Sequence, residues 1–319
     1  MSIEIPNVKV ERFAIIDSTN SEAKRRFSGL EPSLYPSLHK TLLVAEEQSA
    51  GRGRLGRSFY SPSKTGVYFS LIFVDKAISA PSTITASAAV AVCRAIATVF
   101  SVSAQIKWVN DVLVDGKKVC GILTEGIVNP QSGKIEAAII GIGIDILKNG
   151  DMPKALETTV GKICDAPSPT LKKNAKGDTN EDAVEAIAPN VNGETNEDSA
   201  DIAAPNAIGI VSAADLEKWL SEKKDCLIQE TVLQLLKILE NPDEEFSNAM
   251  QEYKERSTLL GKTLTFSPVI GDDKTHFQCT VLDITDDAKL LVQMSDGSQK
   301  TLESGEVTMH KNEALAEQL

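Results

Sequence analysis

Glu47-Gln48-Ser49-Ala50-Gly51-Arg52-Gly53-Arg54-Leu55-Gly56-Arg57 separates two strand-like runs, Thr41 to Glu46 and the continuous apolar stretch Gly66 to Val74. The second run, rich in β-branched and aromatic residues, has the composition of a strand buried on both faces. Between them, glycines let backbone come close to a ligand, and three arginines in six residues can hold carboxylate or phosphate oxygens through rigid forks of donors. Taken alone, the segment reads as a local anion cradle, a solvated basic loop or an RGG-like nucleic-acid segment.

Working outward, Lys9 to Ile16 reads as a strand, and Asp17-Ser18-Thr19-Asn20 supplies N-cap chemistry for a helix through Arg26. Downstream come an Ala/Val-rich helix from about Pro81 to Phe100 and three further strands, Ile106 to Val114, Lys118 to Val128 and Ile135 to Leu147. Ser212 caps a long amphipathic helix carrying Leu216, Trp219, Leu220, Leu227, Leu233, Leu236 and Leu239, ended by Asn241-Pro242. A shorter helix with Phe246, Met250 and Tyr253 follows. From Lys262 the pattern changes to five short strands (262–266, 277–284, 290–294, 299–302, 307–310) broken by Asp/Gly turns, which suggests a small barrel.

The 319 residues include 33 Lys+Arg against 45 Asp+Glu, a formal charge of −12. Eight acids and one base between Asn174 and Asn206 supply −7 of it. The mildly acidic remainder argues against bulk polyanion or anionic-membrane binding, so any anion chemistry must be local. The same tract holds an internal repeat, Gly177 to Asn190 against Gly193 to Asn206, identical at eight of 14 positions. With no aromatics and few large aliphatics to offset chain entropy, residues 165–208 read as a disordered acidic insertion, with a short acidic docking segment as the alternative. A 42% hydrophobic content allows a sizeable core. The uncharged run Ala77 to Cys93 is short and rich in Ala, Ser and Thr, the composition of a core helix rather than a membrane span. The N-terminus lacks the pattern of a signal peptide. Five scattered cysteines with no C-x-x-C and three histidines argue against a disulfide framework or zinc site, and a reduced, cytoplasmic setting is expected.

Two more constellations bear on chemistry. Lys107-Trp108-Val109-Asn110-Asp111 precedes Lys117-Lys118-Val119-Cys120-Gly121-Ile122-Leu123-Thr124-Glu125. Lys107 and Lys118 enter apolar strands, where an ammonium needs a negative partner unless it snorkels to solvent. Gly141-Ile142-Gly143-Ile144-Asp145 places glycines inside a strand, a sign of close approach by backbone or ligand. No G-x-x-x-x-G-K-[ST] occurs, so a P-loop is excluded.

Ser18-Thr19-Asn20, Gln48 to Arg57, Lys107 to Asp111, Lys118 to Leu123, Gly141 to Ile144 and the small C-terminal barrel occur in the order found in biotin protein ligases. The chain resembles that family throughout, apart from the acidic insertion. Lipoate ligases share the fold but lack the Arg-rich signature. The resemblance implies an α/β (α+β) catalytic domain with a mixed central sheet over residues 1–257, interrupted by the insertion, and an SH3-like barrel over 258–312. It implies ATP-dependent formation of biotinyl-5′-adenylate with Mg²⁺, then transfer of biotin to a lysine of a biotin carboxyl carrier domain. Ser18, Thr19, Asn20, Gln48, Gly51, Arg52, Gly53, Arg54, Lys118 and Gly121 would bind biotin. Arg54, Arg57, Phe59, Lys107, Asn110 and Asp145 would bind ATP. Lys118, Arg54 and Asp111 would carry the chemistry, Asp111 by assisting deprotonation of the acceptor lysine; the metal ligands stay open.

The residue chemistry agrees with those roles. A neutral bicyclic urea wants short hydroxyl and amide partners in an apolar cavity. Cations aimed where carboxylate and α-phosphate meet would stabilise the transition state. Three positions depart from the family pattern: Val109 stands for the usual Pro, Phe59 for a Trp over the adenine, and Asp145 for an Asn. The last exchanges a donor–acceptor amide for an acceptor-only carboxylate. Cys120 beside Lys118 raises a thioester-type acyl transfer, against the simpler reading of a packed core thiol. Rival functions are a lipoate or octanoate transferase on the same fold and a non-catalytic biotin-sensing or RNA-binding module. Only 17 residues precede Ser18, too few for a helix-turn-helix, so no DNA partner is expected; no membrane partner is expected either, and a homodimer is open.

Overall fold

The computed structural model describes residues 3–75, 81–148, 152–154, 156–165, 170–173, 179–185, 212–241, 243–267, 277–303 and 306–309. Its centre is a seven-stranded mixed sheet of β1 (Lys9–Ile16), β2 (Thr41–Gln48), β3 (Gly66–Val74), β4 (Gln105–Lys107), β5 (Asp111–Val114), β6 (Lys117–Val128) and β7 (Ile135–Asp145). The order is β1-β2-β3-β7-β6-β5-β4, with β1 parallel to β2 and every other pair antiparallel. The single parallel pair needs a crossover, which α1 (Thr19–Phe27) supplies.

The two-residue period of strands sorts side chains into two layers. Val67, Phe69, Leu71 and Phe73 of β3 and Ala138, Ile140, Ile142 and Ile144 of β7 point into the main core, as do Cys120 and Ile122 of β6. That core is completed by α2 (Pro81–Phe100), α3 (Ala213–Glu240) and α4 (Glu244–Glu255). Among the described helices, α2 alone is long and apolar enough to cross a membrane, and here it is largely buried inside the protein. On the opposite face α1 covers a smaller cluster, with Ala23 and Phe27 against Leu43, Ile72, Ala137 and Ile139. Beyond that cluster the same face carries Ser70, Gly141, Gly143 and Asp145 together with Gly121, Leu123 and Glu125. This is the face on which the site is built.

Residues 106–114, expected as one strand, form two. β4 and β5 pair antiparallel with Lys107 opposite Asp111, and the chain reverses through Trp108, Val109 and Asn110. An apolar run does not show a reversal whose polar atoms are satisfied from afar. Trp108 Nε1 donates to Ala288 O at 2.8 Å, the Asn110 amide donates to Ile122 O at 3.1 Å, and Tyr253 donates its hydroxyl to Val109 O at 3.0 Å. In α3 the buried apolar positions are Leu220, Leu227, Ile228, Val232, Leu235, Leu236 and Ile238, whereas Leu233, expected on that face, is exposed.

The C-terminal strands β10 (Thr263–Ser267), β11 (Phe277–Ile284), β12 (Leu290–Met294), β13 (Gln299–Leu302) and β14 (Glu306–Met309) make an antiparallel sheet ordered β13-β12-β11-β10-β14. Leu264, Val281, Leu290 and Val292 join the main core, so the sheet is fused to the larger unit by packing. Most of the acidic insertion lies outside the described residues. Within it, β8 (Thr170–Lys173) and β9 (Thr179–Glu185) pair antiparallel. His310, expected in the last strand, also lies outside the described residues.

Candidate active site

A cavity of about 330 Å³ opens where the N-terminus of α1, the end of β2 and the glycine positions of β6 and β7 meet. That volume is within the ~300–1,000 Å³ usual for small-molecule sites. Strand alternation makes the room. Ile140, Ile142 and Ile144 fill the core, so the intervening residues face the site, and they are glycines. A Cβ on Gly141 would run into the Asn20 amide, and one on Gly143 into the Phe59 ring. A Cβ at Gly121 would lie 2.9 Å from the same ring and 3.2 Å from Lys118 Nζ.

The inner end is neutral and polar. Ser18 is the N-cap of α1 and accepts from Ser21 N–H at 3.4 Å. The Thr19 backbone N–H and hydroxyl donate to Gln48 Oε1 at 2.9 and 3.2 Å, and the Gln48 amide donates to Ser61 Oγ at 2.9 Å. Ser70 Oγ lies 2.7 Å from Thr19 Oγ1 and 2.6 Å from Asn20 Oδ1. Asn20 in turn donates to Leu123 O and Glu125 Oε2 at 3.1 and 3.0 Å. Each buried polar atom thus has a partner, as burial demands, and the circuit fixes which atoms face inward.

The outer end is cationic. Because β2 runs on to Gln48, the arginine loop leaves directly from the sheet and folds back on itself. Phe59 N–H donates to Gly51 O, and Gly53 N–H to Arg57 O, at 2.8 and 2.7 Å. The turn places Leu55 and Gly56 in the left-handed region, φ 57° and 74°, and glycine at the second spares the cost of a Cβ there. Arg54 donates to Asn110 Oδ1 at 3.0 Å and Arg52 to Glu125 Oε2 at 3.2 Å. Lys118 Nζ lies 2.7 Å from Asp111 Oδ1. The approach is off the hydrogen-bond axis, so the buried oxygen is held by charge rather than by an aligned bond.

Of the expected site residues, Ser18, Thr19, Asn20, Gln48, Arg52, Gly53, Arg54, Arg57, Phe59, Lys107, Asn110, Asp111, Lys118 and Gly121 all line this one cavity. Gly51 lies beneath the loop, where a Cβ would strike Phe59 O. Asp145 follows Gly143 at the end of β7 and falls outside the lining. Burial pushes its carboxyl up to about 7, while the Lys118 charge pulls the other way. Cys120 points into the core, and burial drives its thiol well above the ordinary range despite the nearby Lys118 charge. It is a packing residue, as the simpler reading held.

Three contributors escaped the sequence reading: Ser70, Ser61 and Glu125. Ser70 and Glu125 were visible by the argument applied to Lys118, since each is a polar group inside an apolar strand and must find a partner. Ser61 carries no such signal.

Residues 13–145 match the Biotin/lipoate A/B protein ligase family. Over 112 residues the chain is 40% identical to the bifunctional ligase/repressor BirA of Bacillus spizizenii, covering 35% of this chain and 34% of that protein. Over 132 residues it is 33% identical to the biotin–[acetyl-CoA-carboxylase] ligase of Paracoccus denitrificans, covering 41% and 51%. The matched segment therefore spans between about a third and about a half of those relatives. Among solved structures, biotin protein ligase from Aquifex aeolicus in complex with biotin and ATP superposes with a TM-score of 0.59 at 20% identity, covering 95% of this chain and 99% of the other. That likeness shows a common fold.

Proposed function

We propose that the chain, whose residues 13–145 match the Biotin/lipoate A/B protein ligase family, is an ATP-dependent biotin–protein ligase. The observation that carries the reading is the polarity of the cavity described above, a neutral hydroxyl and amide floor leading to a mouth of Arg54 and Lys118. A urea-headed acid with an aliphatic tail fits that gradient, its carboxylate ending among the cations. The nucleotide complexes of structural neighbours support ATP as the partner there.

In the first step a biotin carboxylate oxygen attacks the α-phosphorus of ATP, and the bond to the bridging oxygen breaks to release pyrophosphate. Negative charge gathers on the non-bridging oxygens at the point faced by Arg54 and Lys118. Both cations are pre-positioned, Arg54 by Asn110 and Lys118 by Asp111, and donors that need no reorganisation are worth about 10²–10³ in rate each. Arg57 and Lys107 line the same mouth and are suited to the remaining phosphates. Phe59, resting on Gly121 and Gly143, offers a ring against which a base can stack. Mg²⁺ brought in with ATP would neutralise phosphate charge. Among the described residues no three metal-ligating side chains gather, so the chain fits a cation carried by phosphates and water, with Asp145 able to join it.

In the second step the amine of an acceptor lysine attacks the mixed-anhydride carbonyl and AMP leaves. The amine must lose a proton, since a free lysine is protonated at neutral pH. We assign that role to Asp111, a carboxylate lining the same mouth. The acceptor proposed is a biotin carboxyl carrier domain, in keeping with the names of the relatives.

The test is incubation with biotin, MgATP and a carrier domain, read out with streptavidin. Labelling supports the ligase. Labelling of a lipoyl domain with lipoate, without any biotin transfer, replaces it with the lipoate reading. Strongly salt-dependent RNA binding with no adenylate formed would instead favour a binding module.

A further inference from the structure

We propose that Glu125 is a positioning residue that locks the arginine loop to the cavity floor, so that loop closure and pocket order are one event; the proposal rests on the ligase reading above. Glu125 does not line the cavity. It follows Gly121 and Leu123 on the site face of β6, with a side chain 16% exposed. An isolated carboxylate is costly in such a place. Three donors from α1 and the loop converge on it. Lys24 reaches Oε1 at 2.7 Å, while Asn20 and Arg52 share Oε2 at 3.0 and 3.2 Å. Burial pushes the carboxyl up, but hydrogen bonds from Lys24 and Asn20 and the charges of Lys24 and Arg52 outweigh it and hold it below the usual range.

The shared oxygen ties two parts of the site together. Both amide hydrogens of Asn20 are spent, on Leu123 O and on Glu125, so its Oδ1 is turned to Ser70 and Gly141. A flipped amide would set that oxygen against the carboxylate. Arg52 meets the same carboxylate atom and is itself paired with Ser58 across the loop. Opening the loop therefore removes a donor from the group that orients the floor, and loosening the floor removes the anchor of the loop. Lys24 holds the other oxygen from the solvent side and keeps the carboxylate in place while the loop moves.

The experiment is a double-mutant cycle on the full chain with Glu125→Gln, Arg52→Ala and their combination, with Glu125→Asp as the conservative variant. Two quantities are read: hydrogen exchange at the loop amides of Gly53 and Phe59 in the free protein, and the release rate of biotinyl-5′-adenylate. Each single variant is expected to raise both by about tenfold, the scale for losing one charge-assisted hydrogen bond. The double variant should go no further than either single, because the two residues share one interaction. Glu125→Asp should recover part of the effect with the thermal midpoint little changed. Independent effects that multiply to about a hundredfold, or unchanged exchange and release in Glu125→Gln, overturn the proposal. Should Glu125→Gln fail to fold, Arg52→Ala against Glu125→Asp runs the same cycle. A wild-type chain that forms no acyl-adenylate overturns the ligase reading, and the exchange data then decide the lock by themselves.

Discussion

Replacing Asp145 by Asn keeps the size of the side chain at the end of β7 and removes its titration. In the folded protein burial raises the carboxyl from 3.8 to about 7, against the pull of Lys118. Between those two values the folded state holds a proton that the unfolded chain has released. Unfolding then sheds protons, and stability must fall as pH rises through the interval. Below about pH 4 both states are protonated and the penalty vanishes; above about 7 it is complete and constant. At about 1.4 kcal/mol per pH unit the interval sets a ceiling of about 4 kcal/mol. Asp145 retains some solvent exposure, so we expect about 1–3 kcal/mol after screening. Urea unfolding of both proteins at pH 4.5, 6 and 8, at fixed ionic strength, measures it. Any hydrogen bond that the new amide gains or loses is an offset independent of pH. The variant should thus gain on the wild type by that amount between pH 4.5 and 8. An advantage that is flat with pH, or larger in acid, would refute the assignment of a raised carboxyl at this position.

Three further outcomes follow from the site. Lys118→Ala or Arg54→Ala should each lower adenylate formation by about 10² or more, the scale for one transition-state donor; near wild-type pyrophosphate exchange in both would remove them from the chemistry. Gly141→Ala puts a methyl group against the Asn20 amide, so biotin KM should rise at least about tenfold, with about 1–3 kcal/mol lost from overpacking; an unchanged KM would mean the amide has room to shift. Tyr253→Phe leaves Val109 O without its 3.0 Å donor, which should cost about 1–3 kcal/mol in chemical denaturation; a neutral result would show that water replaces the hydroxyl.

Much of the architecture was legible because period and punctuation agreed. β1, β3, α2, β11, β12 and β13 carry the bounds expected from apolar runs and turn residues. Fourteen of the expected site positions line one cavity, whereas the wiring between them was far less legible. Beyond the turn-forming Asn110-Asp111, little local in 106–114 reveals a reversal, because the groups that stabilise it belong to Tyr253, Ala288 and Ile122. Likewise Glu125 reads as one more strand residue until Lys24, Asn20 and Arg52 are seen around it. Sequence displays which groups need partners, and only the fold says which partner each one finds.

The reversal between β4 and β5 also bears on when the protein can work. Lys107 and Asn110 sit beside Trp108, whose indole is held by a carbonyl at residue 288. A ribosome-bound chain has made every residue of the cavity long before that carbonyl exists. The mouth of the site takes its final packing only when the C-terminal sheet arrives, so a half-made polypeptide holds the residues of the cavity without that packing.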